Sequence, residues 1–121
     1  DPGEMARLGA ALGASMLLRL YPLYRAFEQA AAVDAQVAHR WREYQERRRQ
    51  DVRRVVEAVE SAGALRPGLD PGRAADSLWA LVGWHPVALL VEQGGWSREE
   101  VERWIEDLFV TVLLGPAAQS S

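Results

Sequence analysis

The chain is 121 residues long, 49% hydrophobic and 26% charged, with a net charge of −3 and no cysteine. That length suits one domain, and the apolar share is enough to offset chain entropy, which excludes a disordered chain. The acidic balance excludes a chain built as a whole to lie on phosphate backbones. The lack of cysteine excludes a disulfide framework, thiol catalysis and cysteine–metal sites.

No stretch reaches the ~18 uninterrupted apolar residues that a membrane span needs. The N-terminus lacks the charged, apolar and small-residue regions of a signal peptide in that order. The expectation is a cytoplasmic protein in one domain, residues 1–121. It does not begin with Met, which points to a processed chain or a fragment.

Helical punctuation runs through the whole sequence. Asp1-Pro2-Gly3-Glu4 supplies an N-cap, a Pro at the first helical position and an acidic first turn. Met5, Leu8, Leu12, Met16 and Leu20 follow at spacings of 3 and 4, which predicts a helix near 2–19. Gly9 and Gly13 on it have two readings, close approach of another backbone or simple tolerance. Tyr21-Pro22 restarts the pattern, with Leu23, Tyr24 and Phe27 on a short helix near 21–32. Asp34 caps a long run near 34–62, whose apolar stripe is Val37, Trp41, Tyr44, Val52, Val55, Val59 and Ala62. Gly63 ends it in the position of a C′ glycine.

Residues 63–69 form the clear loop. Asp70-Pro71 repeats the cap-then-proline start of a helix near 71–93 that carries Ala75, Leu78, Trp79 and Val82. Pro86 is expected to kink this helix, and Gly94-Gly95 to stop it. Ser97-Arg98-Glu99-Glu100 is a capping box for a helix near 97–114. Its apolar face includes Val101, Trp104, Ile105, Leu108, Phe109, Val112 and Leu113, widened by Val110 and Leu114. Residues 116–121 read as a frayed tail. No alternating strand pattern exceeds four residues, so the fold expected is an all-α helical bundle of about five helices.

Catalytic and metal signatures are missing. His39 and His85 are the only histidines, with no carboxylate at a metal-ligand spacing. There is no phosphate loop, no nucleophile elbow and no zinc signature. Neither metal, cofactor nor catalytic residue is expected. Arg47-Arg48-Arg49 stands beside Glu43, Glu46 and Asp51, which suits a salt-bridged helix face. Arg48 differs from its neighbours, projecting near the middle of the apolar stripe. A charge there is paired, snorkels outward, or faces a cavity where it grips an acidic or polar ligand. Tyr21, Tyr24, Phe27, Trp41, Tyr44, Trp79 and Trp84 fall on inward positions. They are first of all core, and they also suit the aromatic lining of a pocket for a flat or hydrophobic molecule.

From Gly63 onward the residues resemble a known family. The order Gly63-Ala64-Leu65-Arg66-Pro67, then Ala74-Ala75 and Leu78-Trp79-Ala80-Leu81, is similar to the C-terminal part of TetR-type transcriptional regulators. So is Gly95-Trp96-Ser97 followed by Glu99-Glu100, Trp104-Ile105, Asp107 and Leu113-Leu114. The stretch from Leu23-Tyr24 through Trp41 and the arginine-rich helix resembles the family more loosely.

The resemblance implies a ligand-responsive repressor that binds an inducer in this domain and homodimerises through helices 71–93 and 97–114. Ligand-binding candidates on that basis are Tyr24, Phe27, Trp41, Tyr44, Arg48, Trp79 and Val82. Dimer candidates are Leu89, Leu90, Trp104, Leu108, Phe109 and Val112. DNA would be read by an N-terminal helix-turn-helix of roughly 50–80 residues that this chain does not contain. Two other classes compete with this one, a stand-alone helical interaction module and a small helical enzyme.

Overall fold

The computed structural model describes residues 1–115, and the tail expected over 116–121 lies outside them. Five α-helices and one π-helical segment follow in the order α1 (Pro2–Ala31), α2 (Ala35–Ser61), α3 (Pro71–Leu81), α4 (Trp84–Ala88), the π segment (Leu89–Gln93) and α5 (Arg98–Leu113). An isolated bridge joins Leu65 to Leu114. Among the described residues no single helix is long and apolar enough to cross a membrane.

The caps read from sequence are the caps that form. Asp1 accepts from the Gly3 N–H at 2.9 Å, and Asp34 from the N–H groups of Gln36 and Val37. Both halves of the Ser97/Glu100 capping box are present at 3.2 Å. Gly63 (φ +72°) leaves α2 through a Schellman turn, with Ala64 N–H donating to Val59 O and Gly63 N–H to Glu60 O. Asp70 is the exception. It occupies the N-cap position of α3, but its side chain makes no capping bond.

Residues 2–31 form one helix where two were expected, 2–19 and 21–32. Pro22 sits inside α1, its ring on the exposed side. An interior proline costs about 3 kcal/mol. Here Leu17 and Tyr24 are buried on either side of it, so packing holds the helix through the defect.

The buried face of α1 also differs from the expected one. Ala6, Ala10, Ala14, Leu17 and Tyr24 turn inward. Met5, Leu8, Leu12 and Met16 are 39–65% exposed. Both stripes repeat at the helical period, so periodicity does not choose between them. Small side chains let α1 lie close against α2 and α5. The two glycines divide accordingly. A Cβ on Gly9 would stand 2.5 Å from Val55 Cγ2, whereas one on Gly13 would meet nothing within 4 Å.

The helix expected over 71–93 breaks at Val82-Gly83, four residues ahead of the predicted kink at Pro86. The two parts meet at 41°. An unbroken helix would set the Pro86 ring against the Val82 carbonyl and leave that carbonyl without a donor. The chain therefore leaves the helix at Val82 and begins α4 at Trp84. Pro86 then occupies the first turn of α4, where a missing N–H costs nothing. The core gathers Val56 and Val59 of α2, Ala74, Ala75 and Leu78 of α3, Val87 of α4, and Val101, Ile105, Phe109 and Leu113 of α5.

Candidate ligand cleft

The break between α3 and α4 opens a cleft of about 510 Å³. Glu28 of α1, Gln45 and Arg48 of α2, Trp79 and Ala80 of α3, and Gly83, Trp84, His85 and Pro86 line it. Three separate stretches of chain meet there because Pro86 forces the interruption and α1 is long enough to reach it.

Arg48 organises this region. Its Nη2 donates to the carbonyl oxygens of Trp79 and Val82, both at 2.5 Å, and Nη1 donates to Gln45 Oε1 at 2.9 Å. By ending at Leu81, α3 leaves the Trp79 carbonyl without a helical donor, and Pro86, which has no N–H, leaves the Val82 carbonyl without one. A cation at a helix C-terminus also opposes the negative end of the helix dipole. Arg48 is thus the C-terminal cap of α3, supplied from another helix. Burial pulls its pKa below the ordinary arginine value, with the neighbouring phenols of Tyr44 and Tyr24 acting against that. No carboxylate lies within ion-pair distance of it among the described residues.

The two tryptophan walls are held from outside. Trp84 Nε1 donates to Glu28 Oε2 at 2.8 Å, and the Arg25 guanidinium lies 5.5 Å from the Trp84 ring centre. Arg25 also pairs with Glu92 at 2.8 Å, and that hydrogen bond holds the Glu92 carboxyl below the usual range. Arg49 stands 5.5 Å over the Trp79 ring while its fork grips Asp76 at 2.9 and 3.1 Å, which likewise lowers the Asp76 pKa. The Trp79 Nε1 is buried and has no hydrogen-bond acceptor among the described residues.

Of the seven ligand candidates, Arg48 and Trp79 line the cleft. Val82 has a buried side chain and turns only its carbonyl to Arg48. Tyr24, Phe27, Trp41 and Tyr44 are brought together elsewhere, ring against ring at centroid separations of 4.6–6.4 Å. They fill the seam between α1 and α2. Burial, then the hydrogen bond with Tyr24, holds the Tyr44 phenol well above the ordinary tyrosine range.

Trp84, read from sequence among the aromatics that suit a pocket lining, also lines the cleft, as do His85, Gln45 and Glu28, which were not singled out as ligand residues. The signal that marks the first two is Gly83 three residues before a proline, the pattern of a helix start. Glu28 and Gln45 carried no signal, because they meet the cleft only through the packing of α1 and α2.

Among the dimer candidates, Leu89 is 42% exposed and Leu90, Trp104, Leu108 and Val112 are half-buried. Phe109 is only 4% exposed, so the domain's own core already takes up its side chain. It follows Val101 and Ile105 on the inward ridge of α5, whereas Trp104, Leu108 and Val112 lie on the flank. Trp104 meets Trp96 edge to face at 6.4 Å. His39 is on the surface, 2.7 Å from Glu43, and no three His, Asp or Glu side chains converge among the described residues.

The chain belongs to the TetR-type regulators: residues 20–114 match the family described as BetI-type transcriptional repressor, C-terminal. Neither a curated protein nor a solved structure matches it.

Proposed function

We propose that this chain is the sensing and dimerising domain of a ligand-responsive transcriptional repressor working in the cytoplasm. It binds a small, mostly hydrophobic molecule, and homodimerises through α3, α4, the π segment and α5. It has no enzymatic role. The observation that carries the proposal is the cleft at the α3–α4 break, lined from α1, α2 and α3–α4 together. A molecule seated there touches all three, so it favours one relative arrangement of them over another. That is the requirement for shifting a population between two conformations. α2 runs from the aromatic seam past Arg48 toward the far end of the domain and is the lever in this reading. DNA contact belongs to a helix-turn-helix outside this chain.

The test is tryptophan emission against a panel of hydrophobic compounds, with Ala80→Phe as the blocking variant. Ala80 lines the cleft and is exposed. Compounds that perturb emission in the parent chain should lose affinity in Ala80→Phe, and unchanged affinity refutes the site. For dimerisation, light scattering at tens of micromolar should give twice the 13.5 kDa protomer mass. Leu89→Arg should lower it.

A second reading, a helical interaction module, draws on the uncovered Met5, Leu8, Leu12 and Met16 stripe of α1. The double variant Leu8→Glu, Leu12→Glu leaves mass and ligand binding unchanged if the regulator reading holds.

A further inference from the structure

We propose that the cleft at the α3–α4 break selects an organic acid, with its carboxylate on Arg48 and a flat apolar body against Trp79 and Trp84. The inference rests on the reading of this cleft as the ligand site and names the chemistry that the site takes.

Arg48 carries more N–H donors than the described residues supply acceptors for. A guanidinium has five N–H donors. Arg48 commits both hydrogens of Nη2 to the Trp79 and Val82 carbonyls and one of Nη1 to Gln45. The second Nη1 hydrogen and the Nε hydrogen meet no acceptor among the described residues. The Trp79 Nε1 is a separate donor, buried and without an acceptor among the described residues. A cation bound only to neutral carbonyl and amide oxygens keeps its full charge, and a half-buried charge without a counter-ion is costly. A carboxylate offers the charge and the acceptor lone pairs that Arg48 lacks, reaching the free Nη1 hydrogen through one oxygen.

Glu28 is the one carboxylate lining the cleft. Its Oε2 already accepts from Trp84 Nε1, and it stands on the exposed side of α1. It opposes an incoming anion but does not neutralise Arg48. Gly83 shows where the anion sits. A Cβ built there would lie 3.7 Å from Arg48 Nη1 and 3.9 Å from Nη2, so the glycine leaves open the space beside the fork. Its backbone (φ −132°, ψ −178°) is one that any residue adopts. Alanine at 83 therefore fills the anion's seat without disturbing the bonds by which Arg48 caps α3.

The experiment titrates the chain with benzoate and indole-3-acetate beside the matched amides benzamide and indole-3-acetamide, and with phenyltrimethylammonium. Tryptophan emission and calorimetry are the readouts. The acids should bind about tenfold or more tightly than their amides, the worth of hydrogen bonds to a charged group. Gly83→Ala should weaken the acids by about tenfold or more while changing the amides far less. Glu28→Gln keeps an acceptor for Trp84 and removes a like charge, so it should tighten the acids about two- to fivefold. Thermal melts of both variants verify that the fold is intact. Amides that equal the acids, preference for the ammonium, or a Gly83→Ala loss common to every ligand overturns the acid assignment and leaves the cleft as a site. Failure of all five probes to bind overturns both the assignment and the cleft reading.

Discussion

Gly9 and Gly13 stand one turn apart on the same helix, yet the same substitution should have opposite effects at the two positions. Replacing an interior helical glycine by alanine stabilises a helix by about 1 kcal/mol. At Gly13 nothing lies within 4 Å of the new Cβ, so Gly13→Ala should keep that gain in full. For a domain of this size it raises the melting temperature by roughly 3–6 °C. At Gly9 the new Cβ would stand 2.5 Å from Val55 Cγ2 and 3.1 Å from Cγ1. Val55 is β-branched and stiff at χ1, so it cannot swing aside cheaply and the helices must part. Overpacking of this kind costs about 1–3 kcal/mol, which leaves Gly9→Ala between neutral and about 2 kcal/mol destabilised. Urea unfolding followed by circular dichroism at a fixed protein concentration measures both variants. Combining Gly9→Ala with Val55→Ala should recover about 1 kcal/mol relative to the sum of the singles. If Gly9→Ala stabilises as much as Gly13→Ala, α1 does not approach α2 at this point and the account of its small-residue face is wrong.

Two further outcomes follow from the site's geometry. Arg48→Met keeps the apolar stem but strips the donors from the Trp79 and Val82 carbonyls. Leaving such groups unpaired costs about 1–3 kcal/mol each where they are buried, so the urea midpoint should fall clearly. An unchanged midpoint removes Arg48 as the cap of α3. Alkaline titration should expose Tyr44. Its folded pKa lies above the unfolded value of 10.0, so above pH ~10 the unfolded chain sheds the proton first and stability declines as pH rises. Tyr44→Phe should flatten that decline, leaving a smaller contribution from Tyr21, whose pKa is also raised. Parent and Tyr44→Phe chains that lose stability equally above pH ~10 contradict the burial of this phenol.

The boundaries of this protein were legible because the groups that set them are local. Asp1, Asp34, Ser97 with Glu100, and Gly63 act on backbone atoms within a few residues, so their spacing in the chain is their geometry in space. The family resemblance was legible for a related reason. Its markers are loop and helix-start residues at fixed order, over the part of the chain that the family match covers. Composition excluded disulfide and cysteine–metal chemistry outright.

What sequence could not decide was which of two equivalent local patterns tertiary packing would use. On α1 the Leu/Met stripe and the alanine stripe have the same period, and close approach to α2 and α5 selected the small one. Pro22 and Pro86 are both helix breakers by chemistry. One is overridden by burial on both sides, and the other moves the break four residues upstream, to the carbonyl that its ring would strike. Of the aromatics read as a pocket lining, Tyr24, Phe27, Trp41 and Tyr44 close on one another between α1 and α2, while Trp79 and Trp84 line the cleft. The cleft forms where the broken helix leaves carbonyls for Arg48 to cap. Length, class, caps and family are one-dimensional properties of this chain. The buried face, the position of the break and the chemistry of the cleft depend on contacts between distant parts of the chain, from 31 residues apart where Arg48 meets the Trp79 carbonyl to 56 where Trp84 meets Glu28. No window of sequence contains both partners, so only the packed helices could settle them.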